Sequence, residues 1–167
     1  MISRLRLLAL AGLFSTTLAA PAIAGPPWIS IELPANPYDQ ATRGAYLVVH
    51  AFHHGVPVAF PVTGTAEGIV NGERRSIELR FTSTAHTGEY ALRRMWPAAG
   101  TWTLVISVSQ GTSDKATAVI EIGPDGQVAA VTVPTHRRGD WVIPSPVAMS
   151  DIDAALRARA GALARSN

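Results

Sequence analysis

Apolar and polar side chains alternate along most of residues 28–133. The pattern is cleanest at 101–108, where Trp102, Leu104, Ile106 and Val108 fall on one face of an extended chain and Thr101, Thr103 and Ser107 on the other. A period of two is the signature of a strand with one buried face. Pro97 and Gly100 punctuate the chain just before it, so 88–108 reads as strand, tight turn, strand. Upstream, Ile29, Ile31 and Leu33 share a face in 28–33, and Pro34 and Pro37 end that strand because neither can donate to a ladder. Residues 45–52 are apolar on both faces, with Leu47, Val49 and Ala51 on one and Tyr46, Val48, His50 and Phe52 on the other, as in a central strand. A shorter strand follows at 56–62, bounded by Pro57 and Pro61.

Asn71-Gly72 separates 63–70 from 73–81. Asn-Gly accepts the positive φ angles of a two-residue hairpin turn, so these segments pair. Ile77, Leu79 and Phe81 then face the core and Ser76, Glu78 and Arg80 face water. Strands at 115–122, with Ala116, Ala118, Ile120 and Ile122 inward, and at 127–133 flank a turn at 123–126. Eight or nine short strands with turn signals between them predict a two-sheet antiparallel sandwich, with a small closed barrel as the alternative. The pattern changes at the C-terminus. Residues 134–149 carry three prolines and little alternation, which suggests an extended arm. Ser150 reads as a helix N-cap with Asp153 at the third helical position, and Ile152, Leu156 and Leu163 form a thin apolar stripe. Gly161 costs that helix about 1 kcal/mol relative to Ala, so it needs the sandwich to pack on.

Residues 1–24 read as a cleaved signal peptide. Arg4 and Arg6 precede a short apolar run, and Ala22-Ile23-Ala24 is a small-x-small cleavage signal before Gly25. The run is shorter than the ~20 residues a membrane-spanning helix requires. The domain organisation is therefore a leader at 1–24, a sandwich at 25–134, and an arm with a helix at 135–167. The expected location is the periplasm or the medium, with no membrane span once the leader is removed. Setting aside Arg4 and Arg6 reduces Lys+Arg from 14 to 12, against 12 Asp+Glu. The near balance gives no footprint for nucleic acid. The absence of cysteine excludes a disulfide framework, a thiolate metal site and a cysteine nucleophile.

Five histidines remain as candidate ligands: His50, His53, His54, His86 and His136. The cluster His50, His53 and His54 suggests a copper or zinc site, because imidazole suits both ions. On a regular strand His50 and His54 would stand about 13 Å apart, and His53 and His54 would point to opposite faces. One ion could join them only if the chain bends at Gly55, or if His86 or His136 arrives from another loop. The carboxylates Glu67, Glu73, Glu78, Glu89 and Glu121 are scattered at positions that look exposed. No Gly-x-Ser-x-Gly elbow and no phosphate-cradling glycine loop occur, so no enzyme is expected. Of the arginine pairs, Arg74-Arg75, Arg93-Arg94 and Arg137-Arg138, the last belongs to the most interaction-like stretch, His136 to Trp141. Arg137, Arg138 and Trp141 are the candidate binding residues, since Trp and Arg are common interface anchors.

The run Gly88-x-Tyr90 followed by Pro97-x-x-Gly100-Thr101-Trp102-Thr103-Leu104-x-Ile106 resembles the C-terminal half of the YtkA-like family, within the bacterial immunoglobulin-like group that includes FixH- and CopC-type domains. Tyr46-Leu47-Val48-Val49-His50-Ala51-Phe52, with Gly55-x-Pro57-Val58 after it, is similar to that family's first long strand and turn. The resemblance spans about 28–110. It implies an all-β, immunoglobulin-like antiparallel sandwich, sometimes found in copper-handling settings. The chain departs from the copper-binding relatives: its expected mature terminus is Gly25 rather than histidine, and Met95 and Met149 are its only methionines after Met1. The functional expectation is an exported, non-catalytic binding or interaction module with no cofactor and an envelope protein as possible partner. Periplasmic copper or zinc handling through His50, His53 and His54 is the alternative.

Overall fold

The computed structural model describes residues 25–166. The expected leader at 1–24 lies outside the described residues. Among the described residues twelve strands precede one helix: β1 (Trp28–Glu32), β2 (Leu47–His53), β3 (Val56–Pro57), β4 (Val62–Val70), β5 (Glu73–Glu78), β6 (Phe81–Ser83), β7 (Glu89–Leu92), β8 (Thr101–Gln110), β9 (Asp114–Ile122), β10 (Val128–Thr132), β11 (Thr135–Arg138), β12 (Trp141–Pro144) and α1 (Met149–Ser166). They form an all-β antiparallel sandwich with a C-terminal helix. One sheet has the order β1-β2-β7-β6, with β3 also paired to β2; the other runs β10-β9-β8-β4-β5; β11 and β12 pair with each other.

The alternation places the core as expected. Leu47, Val49 and Ala51 of the first sheet meet Trp102, Leu104, Ile106 and Val108 of the second, and all are buried. Ala116, Ala118, Ile120 and Ile122 complete the layer from β9. Trp102 is accommodated because its cross-strand partner is Gly68, where any Cβ would collide with the indole ring. Tyr46 and Trp96 meet edge-to-face at 5.0 Å, and the Tyr46 hydroxyl donates across to the Gly126 carbonyl at 2.8 Å. Burial raises the Tyr46 pKa above its ordinary value, with Asp125 adding to the rise and Arg94 opposing it.

Three local expectations change. The strands at 88–92 and 101–108 are not a hairpin: β7 belongs to one sheet and β8 to the other. Segment 93–100 carries the chain between layers and buries Trp96 on the way, so Pro97 and Gly100 shape a crossover. The expected strand at 73–81 also divides, with β5 in one sheet and β6 in the other; buried Leu79 lies at the switch. The expected strand at 56–62 shortens to Val56–Pro57. It pairs with β2 through a turn in which His54 (φ 51°) and Gly55 (φ 77°) both take left-handed backbone.

The C-terminal segment also differs in detail. The extended arm contains the hairpin β11–β12, and α1 begins at Met149, so Ser150 lies inside the helix rather than capping it. Asp153 takes an ion pair with Arg74 instead of closing a capping box. Ile152 and Leu156 are buried against β8 and β4, while Leu163 is exposed. Glu67, expected in solvent, is buried under this helix and held by Arg74 Nη1 at 2.7 Å and Ser76 Oγ at 2.9 Å. Burial opposes the Arg74 charge, but hydrogen bonds to Asp153 and Glu67 outweigh it and hold its pKa above the ordinary value. Arg159 adds a second clamp, donating to the carbonyls of Trp102 and Ile122 and to Thr103 Oγ1.

Candidate functional site

The helix covers only part of the outer face of the second sheet. Beside it lies the hairpin β11–β12, which touches β9 through β12 but forms no ladder with that sheet. A groove of ≈ 990 Å³ lies beneath. The volume is at the upper end of the range for small-molecule sites. Val105 and Ser107 of β8 and Lys115 and Thr117 of β9 form its floor, Ile143, Pro144 and Trp141 form the hairpin wall, and His54, Pro26 and Gly25 close one side.

Strand alternation turns four hairpin side chains to the groove, and Pro144 joins them from the end of β12. His136 pairs with Ile143 and Arg138 with Trp141, so these four share one face. All four line the groove. Arg137 pairs with Val142 on the opposite face, and neither is part of the lining. Two of the three candidate binding residues, Arg138 and Trp141, thus converge, and Arg137 does not join them. Trp141 is 77% exposed, so its ring forms a wall and does not seal the sandwich edge. The hairpin base is closed by the Ser145 amide donating to the Pro134 carbonyl at 2.8 Å.

Apolar side chains surround the middle of the groove, and Arg138, Lys115, His136 and His54 supply cationic or potentially cationic groups. Asp114 is the acidic residue in the lining. The arrangement suits a molecule with an apolar body and an anionic end. His136 Nδ1 lies 2.9 Å from Ser145 Oγ, a pair of residue types found in nucleophilic catalysis. It does not reproduce the catalytic pattern, in which Nε2 serves the hydroxyl and a carboxylate orients Nδ1.

The floor residues were not singled out by motif reasoning, but a signal exists. The outward positions of β8 are Thr101, Thr103, Val105, Ser107 and Ser109, with no charge among them. A solvated face usually carries charges, so five small uncharged residues in a row mark a face that something covers.

The candidate metal ligands separate. His50 Nε2 lies 2.9 Å from Glu32 Oε2, and its Nδ1 lies 4.0 Å from Glu89 Oε2. His53 Nε2 is 2.9 Å from the Gly25 carbonyl oxygen, and its ring meets that of His54 at 4.2 Å. The left-handed turn at His54 and Gly55 brings those two rings to one side, where a continued strand would have opposed them. Among the described residues, His50, His53 and His54 do not form a set whose ligand atoms all lie within 4.8 Å of one another. No helix among the described residues is long and apolar enough to cross a membrane. Comparison with protein-family models, curated proteins and solved structures returns no match.

Proposed function

We propose that this protein is an exported, non-catalytic binding module of the periplasm or medium, and that its groove holds a small amphipathic anion. The reading rests on one observation: the hairpin aims Trp141, Ile143, Arg138 and His136 at a cavity of ≈ 990 Å³ whose floor is Val105, Ser107, Lys115 and Thr117. An aromatic or alkyl body would lie between Trp141 and Val105, and an acidic head would meet Arg138 or Lys115. Trp supplies a large contact area at low entropic cost, and a charge-assisted hydrogen bond to Arg fixes the orientation.

Anilinonaphthalene sulfonate, an aromatic anion, tests this directly. The folded protein should bind it saturably with a rise in emission. Trp141→Ala should weaken binding by about tenfold or more, as truncation of an interface anchor does, and Arg138→Ala by a smaller factor. Arg137→Ala, on the outward face, should bind as the parent does. A parent protein without saturable binding, or a Trp141→Ala variant that binds normally, would refute the groove. A second reading, docking of an envelope protein, is favoured by Val142, which is 51% exposed on the outward face of the hairpin. Val142→Asp should abolish such docking while leaving the sulfonate probe unaffected.

A further inference from the structure

The opposite side of the molecule carries a second constellation. On the outer face of the first sheet, Glu32, His50 and Glu89 lie on the adjacent strands β1, β2 and β7. His50 stands directly across from Glu89. Residues 34–46 run from β1 to β2 and bring Asp39 toward this face, and the turn before β7 contributes His86. The ligand atoms of Asp39, His86 and Glu89 all lie within 4.8 Å of one another.

Each of the three is held by its surroundings. One Asp39 oxygen accepts from the Ala41 amide at 2.8 Å, and the Asp39 amide donates to the Asn36 carbonyl at 3.2 Å. The turn bearing His86 is pinned at Gly88. That residue has φ +75°, and a Cβ there would stand 2.7 Å from the Ala51 carbonyl oxygen and 2.8 Å from that of Val58. The Glu89 amide donates to the His86 carbonyl at 3.2 Å, and the Thr84 hydroxyl donates to Glu89 Oε1 at 2.7 Å. Glu89 is largely buried, with 13% of its side chain exposed, while His86 is open to solvent. Among the described residues no lysine or arginine forms an ion pair with Asp39 or Glu89. Two carboxylates and an imidazole gathered this closely offer the oxygen and nitrogen donors of a cation site.

We propose that Asp39, His86 and Glu89 form a zinc site. Two carboxylates offset the charge of a divalent ion, and a mixed oxygen and imidazole set suits zinc. Calcium, which takes six to eight oxygen ligands, is poorly matched to a set containing imidazole. Three protein ligands leave a coordination position open to water or to a further donor. His50 acts outside the ligand set. Its Nε2 is taken by Glu32 at 2.9 Å and its Nδ1 stands 4.0 Å from Glu89 Oε2, beyond hydrogen-bond length, while the Thr84 hydroxyl orients the Glu89 carboxylate as outer partners of metal ligands do. The site is separate from His53 and His54, which lie on the groove side near Gly25.

Calorimetric titration of the purified protein with zinc tests the assignment. The parent should bind one ion per chain with micromolar or tighter affinity. His86→Ala and Asp39→Asn, both at positions away from the core, should each weaken binding by about tenfold or more. The double variant His53→Ala/His54→Ala should bind like the parent. A parent without binding at tens of micromolar zinc would overturn the proposal. So would a His86→Ala variant that binds normally, or loss of binding in the His53→Ala/His54→Ala protein alone. Glu89→Gln keeps the side-chain shape and checks the third ligand; its thermal unfolding separates lost binding from lost fold.

Discussion

The helix α1 and the hairpin β11–β12 cover the same outer face of the second sheet, and they do so in opposite ways. The helix arrives with Ile152 and Leu156 to bury and with Asp153 and Arg159 to join polar groups already on the sheet. Glu67, Arg74 and Asp153 form a chain of charges beneath it, and Arg159 reaches two strand carbonyls. The contact is closed. The hairpin satisfies its backbone internally, through its own ladder and the bond from Ser145 to Pro134, and it leaves Trp141 and Val142 exposed. It touches β9 through β12 but forms no ladder with the sheet, and a groove remains between them. A covering element seals a sheet where it brings partners for buried polar groups. Where its own ladder has already met that need, it can leave room for a ligand.

The comparison can be broken most strongly at Leu156. Leu156→Ala empties a fully buried position under α1 and should cost about 3 kcal/mol, read as a lower urea midpoint at unchanged slope. A loss under about 1 kcal/mol would mean the helix is not packed as described. Arg74→Met comes next. It leaves Glu67 buried without its cation, and the partial exposure of Arg74 keeps the expected loss near about 2 kcal/mol, below that of a fully buried pair. Adding Glu67→Gln to that variant should restore part of the stability, because it removes the uncompensated charge. The smallest effect is expected at the hairpin. Trp141→Ala should change stability by no more than about 0.5 kcal/mol while abolishing most binding of the sulfonate probe. A large loss of stability there would show that the hairpin is part of the folded core, and the contrast with the helix would fail.

Alternation along single strands was legible without coordinates. Trp102, Leu104, Ile106 and Val108 are buried as their spacing requires, and Asn71-Gly72 turns as its dipeptide predicts, with φ of 52° and 82°. What the pattern did not reveal was which sheet each strand joins. Inward positions at 77–81 and at 88–108 look the same whether the chain makes a hairpin or crosses between layers, because both arrangements bury the same side chains. Glu67 and Glu89 looked exposed for a related reason. Their strand faces point away from the core, and only the helix and the loop at 34–46 turn those faces into interior.

By itself the sequence determined an all-β antiparallel fold with a cysteine-free core and a C-terminal helix, since side-chain period and turn chemistry are local properties; that the strands form two packed sheets and not a barrel was decided by the tertiary structure. Tertiary structure alone decided that Arg138 and Trp141 share a groove from which Arg137 is excluded. It also brought Asp39, His86 and Glu89 together from segments far apart along the chain. Convergence of that kind depends on register and on how loops fold back across a sheet, and neither is encoded in the spacing of any one segment.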